Sequence, residues 1–206
     1  MTPQIKKAKE YFNNKQYDKA LEIFISENEN YDAGLCCLMM GQTDKARIYW
    51  KKNYKSSRAS SWGLIILDLI ELKNPKIKLS FFQTRAYLEV YLNLFIENNL
   101  IEWAQNLVSC CDILYKANPE SYKFIARALF ANGYFQLAIT FCKKTIKLFY
   151  CDPEALLILS QCHFLLGDLG EALDCVVRIN NMVDDYFPSI VFEKILREEI
   201  KKKHSK

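Results

Sequence analysis

Glycine and proline are scarce in this chain, at six and five of 206 residues, less than half of the roughly 12% that ordinary usage supplies. Tight-turn β architectures consume such residues at corners and at positive-φ positions, so they are excluded. The same scarcity removes glycine-rich phosphate loops. Gly167-x-x-Gly170 follows no strand and lacks the remaining glycine of a dinucleotide fingerprint.

Histidine is scarcer still. His163 and His204 are the whole complement, too few for a metal triad, and a serine or cysteine nucleophile would have a single base to draw on. His163 follows Cys162 but occupies the place of a packing aromatic, and His204 lies in a basic tail. Long apolar runs are missing too: Leu64–Leu67 and Ala155–Leu159 fall far short of the roughly 20 residues that span a bilayer. Enzymatic activity, a cofactor, a metal and a membrane partner are therefore not expected. The net charge of +4 is too mild to imply a nucleic-acid partner by itself.

Half of the chain is apolar, and eight residues are cysteines. Cys36, Cys37, Cys110, Cys111, Cys142, Cys151, Cys162 and Cys175 fall in or beside apolar runs and show no C-x-x-C spacing. Small buried hydrophobes are the reading that fits. The opening Met1-Thr2-Pro3-Gln4-Ile5-Lys6-Lys7 is not followed by an apolar stretch of signal-peptide length. The expectation is a soluble, cytoplasmic protein in a reducing compartment.

Apolar residues recur at helical spacing almost throughout, and no clean period-two segment stands out. Short breaks divide the pattern at Asn13–Lys15, Asn28–Asn30, Gly41-Gln42, Asn74-Pro75, Asn98-Asn99, Asn118-Pro119, Asn132-Gly133, Asp152-Pro153 and Gly167-Asp168. Helices joined by connections this short lie antiparallel beside their neighbours. Three sets of positions share one spacing of 34 residues: Ala104, Ala138 and Ala172; Asn99, Gly133 and Gly167; Pro119 and Pro153.

That period, and the motifs it carries, resemble the tetratricopeptide repeat (TPR) family. The clearest unit reads Tyr122-x-x-Ile125-Ala126-x-x-Leu129, Gly133-x-Phe135, Ala138-x-x-x-Cys142, closed by Pro153. The next reads Leu156-x-x-Leu159-Ser160-x-x-His163, Gly167-x-Leu169, Ala172-x-x-x-Val176, and a looser one runs from Leu88 through Asn99 to Val108. Ala8-x-x-Tyr11 with Ala20-x-x-x-Phe24, and Gly34-x-x-Cys37 with Ala46-x-x-x-Trp50, match near the N-terminus. The resemblance implies an all-α fold: a right-handed α-solenoid of about five helical hairpins over residues 1–184, whose first helices line a concave side. The intervals from Ala20 to Ala46 and from Ala46 to Ala104 fall short of the period, so the array is expected to be irregular around 56–84, where Ser60–Leu72 reads as a helix and Asn74–Ser80 as a single turn at most. Residues 185–206 read as a capping helix, with Ile190-Val191, Ile195-Leu196 and Ile200 forming one apolar stripe on a polar back, and a basic tail.

The resemblance also implies a protein-interaction scaffold or adaptor that receives a partner peptide or helix in the concave groove. The first-helix positions facing away from the alanine seam are Glu89, Asn93, Lys123, Arg127, Phe130, Leu157, Gln161 and Phe164. Lys123 and Arg127 are i, i+4 neighbours and would offer two donors to one patch, with Phe130 and Phe164, 34 positions apart, as an apolar floor. Such a surface suits a peptide with an acidic group beside a large apolar side chain. The alternative is that both phenylalanines pack against neighbouring repeats. Two further readings stay open, a non-catalytic assembly subunit (alone or as a homo-oligomer) and a basic helical-repeat surface for nucleic acid. The second rests on Asp44–Arg58, with six basic residues and one acid, where Arg47, Lys51, Lys55 and Arg58 would share a helical face interleaved with Tyr49, Trp50 and Tyr54.

Overall fold

The entrances and exits of the helices follow from local chemistry. In the computed structural model, which describes residues 2–73, 81–110 and 120–204, Thr2 Oγ1 accepts the Ile5 N–H at 3.2 Å and Pro3 opens the first helix. Ser57 Oγ accepts from Ser60 N–H at 3.2 Å, and Asp152 Oδ1 accepts from Ala155 N–H at 2.9 Å beside Pro153. A side-chain oxygen there satisfies an N–H that the helix itself leaves unpaired, and a proline loses nothing. At the exits, Asn99, Gly133 and Gly167 take left-handed φ values of 58°, 80° and 87°. Tyr134 N–H reaches back to Leu129 O and Asp168 N–H to His163 O, both at 2.9 Å, the bond that closes a helix and turns the chain. The 34-residue spacing of these three positions is thus the spacing of one repeated turn.

Among the described residues all regular structure is helical. The helices are α1 (Pro3–Asn13), α2 (Tyr17–Ser26), α3 (Asn30–Met39), α4 (Thr43–Asn53), α5 (Arg58–Ile70), α6 (Phe81–Glu97), α7 (Ile101–Ser109), α8 (Ser121–Ala131), α9 (Phe135–Leu148), α10 (Pro153–Leu165), α11 (Leu169–Met182) and α12 (Phe187–His204). The fold class is an all-α helical repeat. The Asn74–Ser80 turn, Cys111 and the Asn118-Pro119 break lie outside the described residues.

The chain forms two compact units, Met1–Leu79 with Glu97–Cys110, and Ser80–Ile96 with Cys111–Lys206. In the first, α1 pairs with α2 and α3 with α4, and α5 follows on α3 and α4. Helix α3 buries every residue from Ala33 to Met39, as a helix does when covered on all sides. Its core centres on Trp50 of α4, wholly buried, whose Nε1 donates to Tyr31 O at 3.0 Å. The backbones of α3 and α5 touch that ring at Gly34 and Gly63, where a Cβ would stand 2.6 Å from ring carbons.

In the first unit α7 packs on α5. Asn106 Nδ2 donates to Ile70 O at 2.8 Å, and Cys110 Sγ to Leu69 O at 3.3 Å. Both carbonyls lie at the end of α5, where Leu69 O also accepts from Leu72 N–H at 3.0 Å, and side chains from α7 add to that closure.

In the second unit α8 pairs with α9, α10 with α11, and α12 lies on α11 and touches α10. The seam residues are small and buried: Ala126, Ala138, Ala172 and Ser160, the last donating to Ala172 O at 2.6 Å. The capping helix differs from expectation. It buries Ser189 and Leu196, with Phe192 packed beside them, while Val191 and Ile195 face outward with Phe187. Residues 189, 192 and 196 recur at helical spacing, and 191 and 195 fall on another side of the helix.

Six of the seven described thiols are buried and only Cys151 is exposed. Burial raises the pKa of each of the six, to about 12 for Cys36 and about 11 for Cys162 and Cys175. They are neutral packing groups.

Candidate functional site

The first helices of the second unit bring most of the proposed binding residues together, though not as free groups. Lys123 on α8 is buried, and its ammonium lies 2.7 Å from Asp152 Oδ2, 3.3 Å from Glu120 Oε2 and 3.5 Å from Glu154 Oε2. Arg127, one turn on, places Nη1 3.2 Å from Glu89 Oε1 on α6, while Nη2 meets Glu154 Oε1 on α10. Asn93 on α6 accepts from Asn132 Nδ2 at 2.6 Å. An ionic ladder therefore runs across α6, α8 and α10, with four carboxylates around two cations among the described residues.

Both cations have partners within the chain. Lys123 and Arg127 are not donors waiting for an acidic ligand; the chain's own carboxylates already occupy them. The physical reason is burial: an ammonium this far from water is stable only when paired, and Asp152 is held in place for the purpose. That aspartate does two jobs at once, capping α10 through Oδ1 and binding Lys123 through Oδ2. Sequence reasoning passed over Glu120, Asp152 and Glu154. The signal was there: Glu120 and Glu154 are 34 positions apart, each following the repeat proline.

The apolar floor is divided. Phe130 is half-buried with its ring centroid 5.9 Å from Phe135 on α9, and Phe164 makes an edge contact at 5.5 Å with Phe192 on α12. Phe130 thus packs on the second helix of its own hairpin, and Phe164 on the capping helix. Leu157 and Gln161 remain half-buried on α10. His163 is buried, with Nδ1 3.6 Å from Asp168 Oδ2.

The basic stripe of the first unit also changes form. Helix α4 ends at Asn53, so Lys55 and Arg58 do not continue its face. Arg47 is drawn to α5, with Nη1 2.9 Å from Asp68 and Nη2 2.8 Å from Glu71. Burial opposes ionisation of Glu71, but hydrogen bonds from Lys73 and Arg47 outweigh it and lower its pKa. Trp50 is core and unavailable for stacking, while Lys51, Lys52, Lys55 and Arg58 are exposed.

A groove of about 490 Å³ that the sequence reading did not single out opens between α9 and α11, floored by Leu156 and Leu159 of α10. Lys143 and Lys147 stand on α9, Glu171 and Asp174 on α11. At its border the Arg178 guanidinium lies 3.9 Å from the Tyr150 ring centroid and donates to Tyr150 O at 2.7 Å. Among the described residues, no group of three His, Cys, Asp or Glu side chains is placed to hold a metal ion, and no helix is long and apolar enough to cross a membrane.

No protein-family model matches the sequence, and no curated protein matches it. Among solved structures, the chain is similar to the C-terminal part of a TPR repeat-containing protein from Cytophaga hutchinsonii, with TM-score 0.46 and 15% identity over 93% of this chain and 69% of that one. It is also similar to a thermophilic TPR protein from Thermus thermophilus, with TM-score 0.40 and 16% identity over 94% of this chain and 96% of that one.

Proposed function

We propose that the chain is a non-catalytic, cytoplasmic protein-interaction scaffold that receives a partner segment on the first-helix face of its second unit. The observation that carries this is the ionic ladder. Within it Glu154 bridges Lys123 and Arg127 and keeps 38% of its side-chain surface exposed. The exposed Glu154 carboxylate suits a segment that carries lysine or arginine beside a large apolar side chain. Lys123 and Arg127 act as positioning residues that hold Glu89, Asp152 and Glu154 in the face, Asn93 is held by Asn132, and Phe130, Leu157, Gln161 and Phe164 supply the half-buried surface around them. The neutral, buried thiols fit a reducing compartment.

Fluorescence anisotropy with two pools of labelled peptides, one basic-aromatic and one acidic-aromatic, tests this reading. The basic pool is expected to bind, more weakly at high salt. The double charge reversal Glu120→Lys with Glu154→Lys is expected to weaken that binding by about tenfold or more, roughly 1.4 kcal/mol. Preference for the acidic pool, or no binding of either, overturns it.

A further inference from the structure

The groove between α9 and α11 sorts its charges by sign. Lys143 and Lys147 stand on the second half of α9, and Arg178 reaches Tyr150 just past the end of that helix, so three cations gather at one end. Glu171 and Asp174, on the first two turns of α11, line the other end. Leu156 and Leu159 floor the space between, and Ile146 borders it. Among the described residues none of these five charged groups makes an ion pair, although Asp174 and Arg178 are i, i+4 neighbours on one helix. The Arg178 guanidinium turns instead to the Tyr150 ring and carbonyl, and its Nε has no hydrogen-bond partner.

Within the chain both ends of the groove are left repelling. Lys143 with Lys147, and Glu171 with Asp174, set like charges one turn apart on their helices. The first-helix face is the opposite case, where the chain's own carboxylates meet Lys123 and Arg127. A ligand that is acidic at one end, basic at the other and apolar between relieves both repulsions. Arg178 lies seven residues after Glu171, about 10 Å along a helix, which matches two turns of a second helix. Laid antiparallel to α11, such a helix brings acids from its first turn to Lys143, Lys147 and Arg178, and bases from its last turn to Glu171 and Asp174. Its own macrodipole favours that order of charges and disfavours the reverse. We infer that the groove between α9 and α11 receives an amphipathic helix of a partner protein, with its acidic N-terminal turn at Arg178 and its basic C-terminal turn at Glu171.

Two cross-linked synthetic helices of identical composition test this, each with leucines along one face. In the first, acids lead and lysines trail; in the second, lysines lead and acids trail. Fluorescence anisotropy with the full chain is expected to show the acid-first helix binding about tenfold tighter or more, and more weakly at high salt. Lys143→Glu with Lys147→Glu, at exposed positions, is expected to weaken that binding about tenfold. Adding Glu171→Lys and Asp174→Lys, also exposed, is expected to invert the preference, and an unchanged circular dichroism melt verifies that each variant is folded. Should the fourfold variant melt early, Lys143→Gln with Lys147→Gln is expected to lower affinity several-fold and to flatten its salt dependence. Equal affinity for the two helices, no binding of either, or affinity unmoved in the folded lysine variants overturns the inference. Loss of binding in Glu120→Lys with Glu154→Lys would assign the helix to the first-helix face and overturn it as well. So would self-association of the chain that the lysine variants abolish, which would seat a second copy in the groove.

Discussion

Close approach of helices is achieved in the first unit by one large ring and in the second by many small side chains. Trp50 fills the space bounded by α3, α4 and α5, and glycine on two helices makes room for it. Between α8 and α9, and between α10 and α11, alanine and serine recur at one repeat's spacing and no single residue dominates. A core with one keystone concentrates its stability in that residue, whereas a seam of alanines distributes it over successive repeats. The ionic groups differ likewise. Lys123 is buried among carboxylates, while Arg47 of the first unit pairs with Asp68 and Glu71 at sites about a quarter exposed.

The sharpest way to break this comparison is Trp50→Ala. It is expected to cost roughly 3–5 kcal/mol, read as the largest fall in thermal midpoint of any single core change. A loss below about 1 kcal/mol would show that the first unit has no keystone. Next, Lys123→Met is expected to cost about 2–4 kcal/mol by stranding Asp152 and its neighbours, against less than about 1 kcal/mol for Arg47→Met at its more exposed site. Equal losses at the two sites in urea melts would erase the contrast between a buried and a solvated ion cluster. Reversal of Lys123 to Glu is a poor surface probe for the same reason, because it adds a carboxylate to four already present.

Gly63→Ala and Ala138→Leu compare overpacking in the two cores, each expected to cost roughly 1–3 kcal/mol. An unchanged melt for Ala138→Leu would break the repeat register of the second unit, and an unchanged melt for Gly63→Ala would show that the Trp50 ring has room to move.

The thiols give the smallest effect and sharpen what the two cores share. Burial holds Cys36 in the first unit and Cys162 and Cys175 in the second neutral to about 12, 11 and 11, above the ordinary value of about 8.5 for an unfolded chain. The folded pKa values are raised, so this contribution to stability is complete below about pH 8.5 and is lost as pH climbs toward 11–12. Urea midpoints are expected to decline across that window and not between pH 7 and 8. In native protein at pH 8, a disulfide-exchange reagent is expected to modify Cys151 rapidly and the six buried thiols only on unfolding. Rapid labelling of Cys36 or Cys142 would contradict the packing described for its unit.

The sequence by itself determined what depends on near neighbours. The left-handed turns at Asn99, Gly133 and Gly167, the Asp152-Pro153 entrance to α10, the helical periods and the alanine seam all depend on φ/ψ preference, capping and residue size within one hairpin, and each was legible before any coordinates. The tertiary structure decided what depends on which helices meet. It set α7 against α5 in the first unit. It set Gly63 against Trp50, 13 positions away in sequence, and turned Val191 and Ile195 outward where hydropathy alone read them as one stripe with Leu196. At the candidate site, the residue types and the face were legible, but the charge balance was not. Lys123 and Arg127 read as a basic fork because their own helix carries no acid beside them; the carboxylates that claim them arrive on α6, on α10 and in the turns before α8 and α10. A side chain's type is written at its own position, but the field it sits in is the sum over every helix packed around it, and that sum exists only once the chain has folded.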